Sequence, residues 1–333
     1  MKYSIVLPVK NGGQHIKECV QSILSQTISN FTLHILDNCS TDGTLQWVNA
    51  LEDDRVIVIP SDRPLTIEEN WARILDIDKN EYMTLIGHDD ILATDYLQIM
   101  QDLIIQFPDA GLFQTHFTFI DKEGKTLKQC KPMREKETAS EFLASILTNN
   151  FDMMGTGFMM RANDYNLLGG IPPYPNLIFA DVEIFNELTR ISYKITSLKN
   201  GFSYRLHQST TKVSPDVKIH KAFERFIFYL DKLAKQDEQF APVINKYVKE
   251  FLLTNCKALS HRLLRTPIEK RDKLSVSKFI MQCREYALLL IPHQKFNPLE
   301  VTSIRMAAML DSNSIGRQLF LYFKKIYSRP VLK

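Results

Sequence analysis

Over the first 110 residues, short apolar runs alternate with stretches in which apolar residues recur every three or four positions. The short runs are typical of buried β-strands, and the longer stretches are typical of helices with one apolar side. This alternation predicts a parallel sheet with helices on both faces. The predicted strands are 3–9, 31–36, 56–60 and 82–86, and the predicted helices are 13–26, 43–52, 67–77 and 95–106.

The same alternation continues, less regularly, to about residue 210. Thr66 and Thr138 each stand three residues before a glutamate, and this spacing predicts a capping box at the start of a helix. The further predicted strands are 111–120, 155–161, 195–198 and 202–206, and the further predicted helices are 138–147 and 181–191.

The pattern changes after about residue 215, where glycine becomes scarce and apolar residues fall at helical spacing, as at Phe223, Phe226 and Leu230. Thr266-Pro267-Ile268-Glu269 predicts a third capping box, with proline at the first helical position. We therefore expect two domains, an α/β domain at 1–215 and an all-helical region at 216–333.

The composition of the chain limits the classes of protein to which it can belong. The 333 residues are 44% apolar and 24% charged, which is typical of a globular protein, and a net charge of +3 is too small to indicate nucleic-acid binding. The five cysteines have no paired spacing, which favours free thiols in a reducing compartment. A strand beginning at Tyr3 leaves no room for a signal peptide, and no apolar stretch approaches the length of a membrane span. We expect a cytoplasmic protein.

Two polar residues, Asp37 and Asn38, directly follow the predicted strand 31–36. Ligands of open α/β sheets bind at the carboxyl ends of strands. A carboxylate and an amide at that position are suited to hydrogen bonding with a nucleobase. The alternative is a turn whose polar side chains only cap the following helix.

Adjacent carboxylates, Asp89 and Asp90, follow the predicted strand 82–86. Because two neighbouring carboxylates repel each other, this pair favours a bound cation. Mg²⁺ or Mn²⁺ prefers oxygen ligands and bridges phosphates while using only one or two protein carboxylates. The alternative is a pair of solvated acids in a loop.

These motifs together resemble the family 2 glycosyltransferases, which have the GT-A fold. The resemblance covers roughly residues 1–210 and is carried by Pro8 to Asn11, by Asp37 to Thr44 and by Asp89-Asp90, in that order and each at a strand end. It implies a Rossmann-like, mostly parallel sheet flanked by helices, followed here by an all-helical C-terminal extension. Two positions depart from the family pattern, because Gly87 and Ala180 stand where the family often has acids.

The resemblance also implies roles for individual residues. Asp181, before a predicted helix, is the implied catalytic base, with Glu183 as the second choice; the alternative for Asp181 is a simple helix cap. The implied metal ligands are Asp89, Asp90 and His207. The implied nucleotide contacts are Pro8, Val9, Asn11, Asp37, Asn38, Asn70, Asp89 and Arg205.

The implied activity is inverting, metal-dependent transfer of a sugar from a nucleoside-diphosphate sugar, with UDP favoured, to the hydroxyl of a glycan or lipid-linked acceptor in bacterial cell-surface polysaccharide synthesis. Two alternatives stay open. A sugar nucleotidyltransferase also binds nucleotide on an α/β sheet, although Lys10-Asn11-Gly12-Gly13 lacks the arginine of its glycine-rich loop. A degenerate transferase would act as a scaffold that binds sugar nucleotide or glycan.

The C-terminal stretch from about Ile315 to Tyr327 is amphipathic, with Arg317, Lys324 and Lys325 opposite most of its apolar residues. A basic amphipathic helix of this kind favours peripheral contact with an anionic membrane at the inner face of the cell membrane. Packing of the helix against its own domain is the other interpretation.

Overall fold

The computed structural model describes residues 1–206 and 214–327. The chain divides into two compact units, residues 1–213 and residues 214–333. His207, one of the implied metal ligands, lies outside the described residues.

The first unit is built on one mixed, mostly parallel sheet, which confirms the predicted fold class. Its strands are β1 Tyr3–Val9, β2 Phe31–Asp37, β3 Val56–Pro60, β4 Tyr82–Leu85, β5 Ile91–Leu92, β6 Leu112–Ile120, β7 Thr126–Gln129, β8 Lys136–Glu137, β9 Phe158–Arg161 and β10 Lys194–Arg205. The main order is β3-β2-β1-β4-β9-β6-β10-β5, with β7 beside β6 and β8 beside β10. Strands β1 to β4 are mutually parallel, and β9 runs antiparallel to both of its neighbours.

In the described part of this unit, the helices are α1 His15–Leu24, α2 Thr44–Asn49, α3 Ile67–Ala72, α4 Tyr96–Gln106, α5 Ala139–Leu147, α6 Ala162–Leu167 and α7 Ala180–Ile191. The capping boxes at Thr66 and Thr138 are both formed, because each threonine hydroxyl accepts the N–H of the third helical residue and that residue's carboxylate accepts the threonine N–H. The regions 195–198 and 202–206, expected as two strands, form one strand, β10, with irregular pairing near Asn200.

The register of the strands places the candidate functional residues of this unit at one edge of the sheet. Strands β1 and β2 are almost entirely buried, as expected for parallel strands covered on both faces. Val9 pairs with Asp37 across β1 and β2, and Val6 pairs with Leu85 across β1 and β4. The loops that follow β1, β2 and β4 therefore leave the sheet side by side.

The second unit is helical in its described residues, with α8 Asp216–Gln236, α9 Phe240–Arg265, α10 Val276–Leu290, α11 Thr302–Ser312 and α12 Ser314–Tyr327. Its core is rich in aromatic contacts, among them the edge-to-face pairs of Phe223 with Phe279 and of Phe226 with Phe251. Within the described ranges, no helix has both the length and the apolar content needed to cross a membrane.

The third capping box, expected at Thr266, is wrong. Helix α9 ends at Arg265, and the Thr266 hydroxyl donates to the Arg262 carbonyl of that helix at 3.3 Å. Thr266 precedes a proline, which favours the extended backbone found there, and only a short 3₁₀ turn follows at Ile268–Lys270. The next long helix, α10, is capped instead by Ser275, whose hydroxyl accepts the Lys278 N–H at 3.2 Å.

Candidate active site

The turn after β4 holds Asp90 in a fixed position. Asp90 is 2% exposed, and its Oδ2 accepts the Thr156 hydroxyl at 2.5 Å while its Oδ1 accepts the Arg205 N–H at 3.0 Å. The Thr156 oxygen in turn accepts the Gly87 N–H at 2.9 Å. One threonine thus joins both ends of the acidic turn to the loop before β9.

Thr156 was not predicted from the sequence, although it lies between two glycines that mark an unusual backbone. Gly157 has a φ of +88°, and a Cβ atom there would lie 2.0 Å from the Phe202 ring. Only glycine fits this close approach, so the glycine pair around Thr156 is the sequence signal that could have found it.

Gly87 itself explains one departure from the family pattern. A Cβ atom at this position would lie 2.9 Å from Asp89 Oδ1 and 3.2 Å from Asp90 Oδ2. The two carboxylates therefore converge on the space that a side chain at position 87 would occupy. In this chain a third acid at position 87 would compete with the Asp89 and Asp90 carboxylates for that space.

Arg205 lies beneath the acidic turn, 1% exposed, and every guanidinium nitrogen donates to protein. Nε donates to the Asp89 carbonyl at 2.9 Å, Nη1 to the carbonyls of Asp121 and Lys122 at 3.2 and 3.0 Å, and Nη2 to Glu18 Oε2 at 2.6 Å. These bonds give Arg205 a positioning role that the sequence did not indicate. Its implied contact with a phosphate stays a prediction.

Asp181 lies in the first turn of α7. Phe179, with a φ of +71°, occupies the capping position and makes no side-chain cap, so Asp181 is not the N-cap of this helix. Its Oδ1 accepts the Val182 N–H at 2.9 Å. Asp181 is partly buried, and loss of solvent around its carboxyl group raises the pKa of Asp181 to about 6. Glu183, the second choice, accepts the Tyr174 hydroxyl at 2.5 Å.

Tyr204 connects Asp181 with the acidic turn. Burial raises the pKa of its phenol, and the negative charges of Asp90, Asp89 and Asp181 raise that pKa further. Because charges act in this way only over short distances, the three carboxylates lie in the neighbourhood of Tyr204. The structure thus brings the implied base and both implied metal ligands to one place.

At the same edge of the sheet, hydrogen bonds join the loop after β1 to the loop after β2. Asn11, with a φ of +54°, accepts the Thr41 N–H on its side-chain oxygen at 2.8 Å and donates its own N–H to the Ser40 hydroxyl at 2.8 Å. The Asn38 N–H donates to the Val9 carbonyl at 2.9 Å. The implied nucleotide residues Pro8, Val9 and Asn11 are therefore held against those of the second loop.

Asp37 is fully buried, and its two oxygens differ. Oδ2 accepts the Ser40 N–H at 3.1 Å, whereas Oδ1 has no hydrogen-bond partner in the protein. A buried carboxylate oxygen without a partner is costly, and a ligand that donates a hydrogen bond would relieve that cost. Because the carboxylate is covered, contact with a nucleobase requires the surrounding loops to shift.

The amides of Asn38 and Asn70 are already used within the protein. Asn38 donates to the Leu65 carbonyl at 2.9 Å and accepts the Leu65 N–H at 2.7 Å. Asn70 donates to the Leu36 carbonyl at 3.3 Å and accepts from Arg73 at 2.9 Å. Arg73, which the sequence analysis missed, also donates to the Asp37 carbonyl at 3.2 Å. These residues order the carboxyl end of β2, and their contacts with a nucleotide stay predictions.

The donor set at the acidic turn fits a hard divalent cation whose remaining ligands come from substrate and water. Among the residues the structure describes, no three side chains of His, Cys, Asp or Glu form a metal-binding group. Asp89 and Asp90 nevertheless offer carboxylate oxygens, and Mg²⁺ or Mn²⁺ bridging phosphates needs only one or two of these from the protein.

Comparison with known proteins identifies the first half of the chain. Residues 4–168 match the family model described as glycosyl transferase family 2. Glycosyltransferase GlyG of Streptococcus pneumoniae is 24% identical over 123 residues, which are 36% of this chain and 41% of GlyG. An uncharacterized glycosyltransferase of Haemophilus influenzae is 26% identical over 55% of this chain and 69% of its own. TuaG of Bacillus subtilis, a putative teichuronic acid biosynthesis glycosyltransferase, is 25% identical over 48% of this chain and 66% of TuaG.

Two solved structures share the fold. TarS 1–349 of S. aureus in complex with UDP-GlcNAc has a TM-score of 0.62 at 14% identity, covering 93% of this chain and 91% of that one. The mannosyltransferase PcManGT of Pyrobaculum calidifontis, in complex with GDP-Man and Mn²⁺, has a TM-score of 0.52 at 12% identity, covering 98% and 88%. At such low identity the likeness shows the fold alone.

Proposed function

We propose that this chain, whose residues 4–168 match the glycosyl transferase family 2 model, transfers a sugar from a nucleoside-diphosphate sugar to an acceptor hydroxyl, with inversion at the anomeric carbon. The observation that carries the proposal is the acidic turn, where Thr156 and the Arg205 N–H hold the buried Asp90 beside Asp89, with Asp181 close enough for its charge to act on Tyr204 as theirs do. Such a transfer needs a base for the acceptor hydroxyl, and it needs carboxylates that can hold a cation beside the leaving diphosphate.

We propose Asp181 as the base. Its carboxylate takes the proton from the acceptor hydroxyl while that oxygen forms a bond to the anomeric carbon. The bond between the anomeric carbon and the diphosphate oxygen breaks, and the nucleoside diphosphate leaves with the electron pair. Since the pKa of Asp181 is about 6, the carboxylate is ionised at neutral pH and is a stronger base than an ordinary aspartate.

We also propose that Asp89 and Asp90 hold Mg²⁺ or Mn²⁺. A bound ion would act as a Lewis acid on the leaving diphosphate. The protein's own part is to keep Asp90 fixed through Thr156 and the Arg205 N–H, so that the turn needs little rearrangement when the donor binds.

For the substrates we propose UDP-sugar as donor and a glycan or lipid-linked hydroxyl as acceptor, in cell-surface polysaccharide synthesis. The name of TuaG and the UDP-GlcNAc complex of TarS support this choice. With a lipid-linked acceptor, transfer would take place at the inner face of the cell membrane.

Release of nucleoside diphosphate from UDP-, GDP- and dTDP-sugars, measured with Mn²⁺ and with excess EDTA, tests the proposal. We expect turnover of at least one UDP-sugar with metal, and its loss in a variant carrying Asp89→Ala and Asp90→Ala. Full turnover in excess EDTA would contradict the proposed dependence on a metal ion. Donor binding without any turnover, even as slow hydrolysis, would favour the scaffold alternative.

A further inference from the structure

Helix α12 turns its apolar side outward. Five of its side chains, which we call the α12 stripe, are each 55–70% exposed: Ile315, Leu319, Tyr322, Phe323 and Ile326. At 3.6 residues per turn they fall within an arc of about 100°. A continuous exposed apolar surface on one helix marks an interaction site more often than scattered apolar residues do.

The opposite side of α12 is fixed to the helical unit. The Arg317 guanidinium donates to the Leu264 carbonyl at 3.1 Å and to the Thr266 carbonyl at 2.7 Å, both at the end of α9. Phe320 and Leu321, on the same side as Arg317, are partly buried. The outward orientation of the stripe is therefore set by the contacts of the opposite side, and more than half of each stripe side chain stays exposed.

The charge around the stripe is positive. Helix α12 contains Arg317, Lys324 and Lys325 and no acidic residue. Residues 214–333 contain 22 Lys and Arg against 11 Asp and Glu, whereas residues 1–213 contain 19 against 27. The small net charge of the whole chain thus conceals an acidic first unit and a strongly basic second unit.

We propose that the α12 stripe inserts into the interface of an anionic lipid bilayer. The apolar residues would enter the boundary between headgroups and acyl chains, Tyr322 and Phe323 would lie at headgroup level, and the lysines would contact lipid phosphate. A basic unit complements an anionic lipid surface, which attracts lysine and arginine within a Debye length. The proposal goes beyond the transfer reaction, because lipid binding is measurable without donor or acceptor.

Sedimentation of the full chain with vesicles tests this surface. We expect binding to phosphatidylcholine vesicles containing about 30% phosphatidylglycerol, weak binding to phosphatidylcholine alone, and weaker binding at high salt. Leu319→Glu with Phe323→Glu should lower the affinity about tenfold or more, because it places two acids in the stripe. Lys324→Gln with Lys325→Gln should weaken binding to anionic vesicles only.

A charge-matched control separates the stripe from net charge. Met281 and Leu288 on α10 are 59% and 68% exposed, so Met281→Glu with Leu288→Glu changes the charge equally at another exposed site. This control should still bind. Equal loss in both double variants, or no binding of the unchanged chain to anionic vesicles, would overturn the proposal. A dimer in light scattering that only the stripe variant abolishes, without vesicle binding, would instead assign the stripe to a second copy of the chain.

Discussion

Asp181 shows how its environment gives an ordinary side chain a chemical role. The family resemblance singled it out as the base, with helix capping as the alternative. The structure gives the capping position to Phe179 and leaves Asp181 with a raised pKa and a hydrogen bond from the Val182 N–H. Burial raises this pKa, and burial cannot be read from spacing along the sequence.

Asp181→Asn keeps the shape of the side chain but removes the proton acceptor. We expect kcat to fall roughly 10²–10⁴-fold, with donor affinity unchanged. Turnover at saturating donor and acceptor is the measurement, with the exposed Asp109→Asn as the control. An unchanged kcat, or a product of retained configuration, would remove Asp181 as the base.

The pKa of Asp181 also predicts a pH dependence. The base acts only when ionised, so kcat should rise about tenfold per pH unit below about pH 6 and level off above it. The folded state favours the neutral acid, so stability falls as pH rises from near 4, the ordinary pKa of the unfolded chain, through 6. The Asp181→Asn variant should lack this fall, and its Tm at pH 7 should exceed that of the unchanged chain. A Tm of the Asp181→Asn variant equal to or below that of the unchanged chain would contradict this prediction.

Asp37 has the unpaired oxygen expected of a ligand contact. Asp37→Ala should weaken nucleoside diphosphate binding by about 1–3 kcal/mol, the cost of losing a hydrogen bond to a charged group. Calorimetry of the folded variant measures this, with the exposed Asp54→Ala as the control. Equal affinity in both variants would exclude Asp37 from the site.

At the scale of elements, the turn from Gly87 to Asp90 brings two carboxylates together because Gly87 has no side chain to occupy the space between them. Gly87→Ala would place a methyl group 2.9 Å from Asp89 Oδ1, and the end of that flexible side chain can move at little cost in stability. We expect an unchanged Tm and a roughly 10- to 100-fold loss of metal-stimulated turnover, since small misplacements at a site are costly.

Gly155→Ala is the matched control, because a Cβ atom there meets nothing within 4 Å. It lies in the loop that carries Thr156, so both changes add one methyl group beside the same hydrogen-bonded unit. Equal loss in the two variants would show that backbone stiffening, and not displacement of Asp89, is the cause.

Elements with strong periodicity could be predicted from the sequence, and those without it could not. Strand β1 and helix α4 carry long apolar patterns and lie close to where they were expected. All four residues of strand β7 are exposed, and strand β8 is only two residues long. Such edge strands form because a neighbour offers hydrogen bonds, a fact that the local sequence does not record.

At the scale of the whole molecule, all the described residues with implied catalytic, metal or nucleotide roles belong to the first unit. Donor binding should therefore stabilise residues 1–213 by mass action, by about 2.7 kcal/mol at a donor concentration 100 times the Kd. We expect calorimetry to resolve two transitions, with UDP-sugar and Mn²⁺ raising only one Tm. A single transition that the donor shifts as a whole would show that the units unfold together.

The direction of the α12 stripe could not be predicted, although its amphipathic pattern could. The pattern shows that one side of the helix is apolar, but only the hydrogen bonds of Arg317 to Leu264 and Thr266 show that this side faces outward. Long-range contacts of this kind depend on the complete fold.

The hydrogen bonds of Arg205 also determine at what stage of chain synthesis the site becomes complete. The residue joins β10 to Glu18 and to the acidic turn, partners that were made 187 and about 115 residues earlier. A growing chain that has left the ribosome up to α7 has every acid of the site but lacks strand β10, which holds the acidic turn. During synthesis the site therefore becomes complete only when the last strand of the sheet is added, so a nascent chain is not expected to hold donor before then.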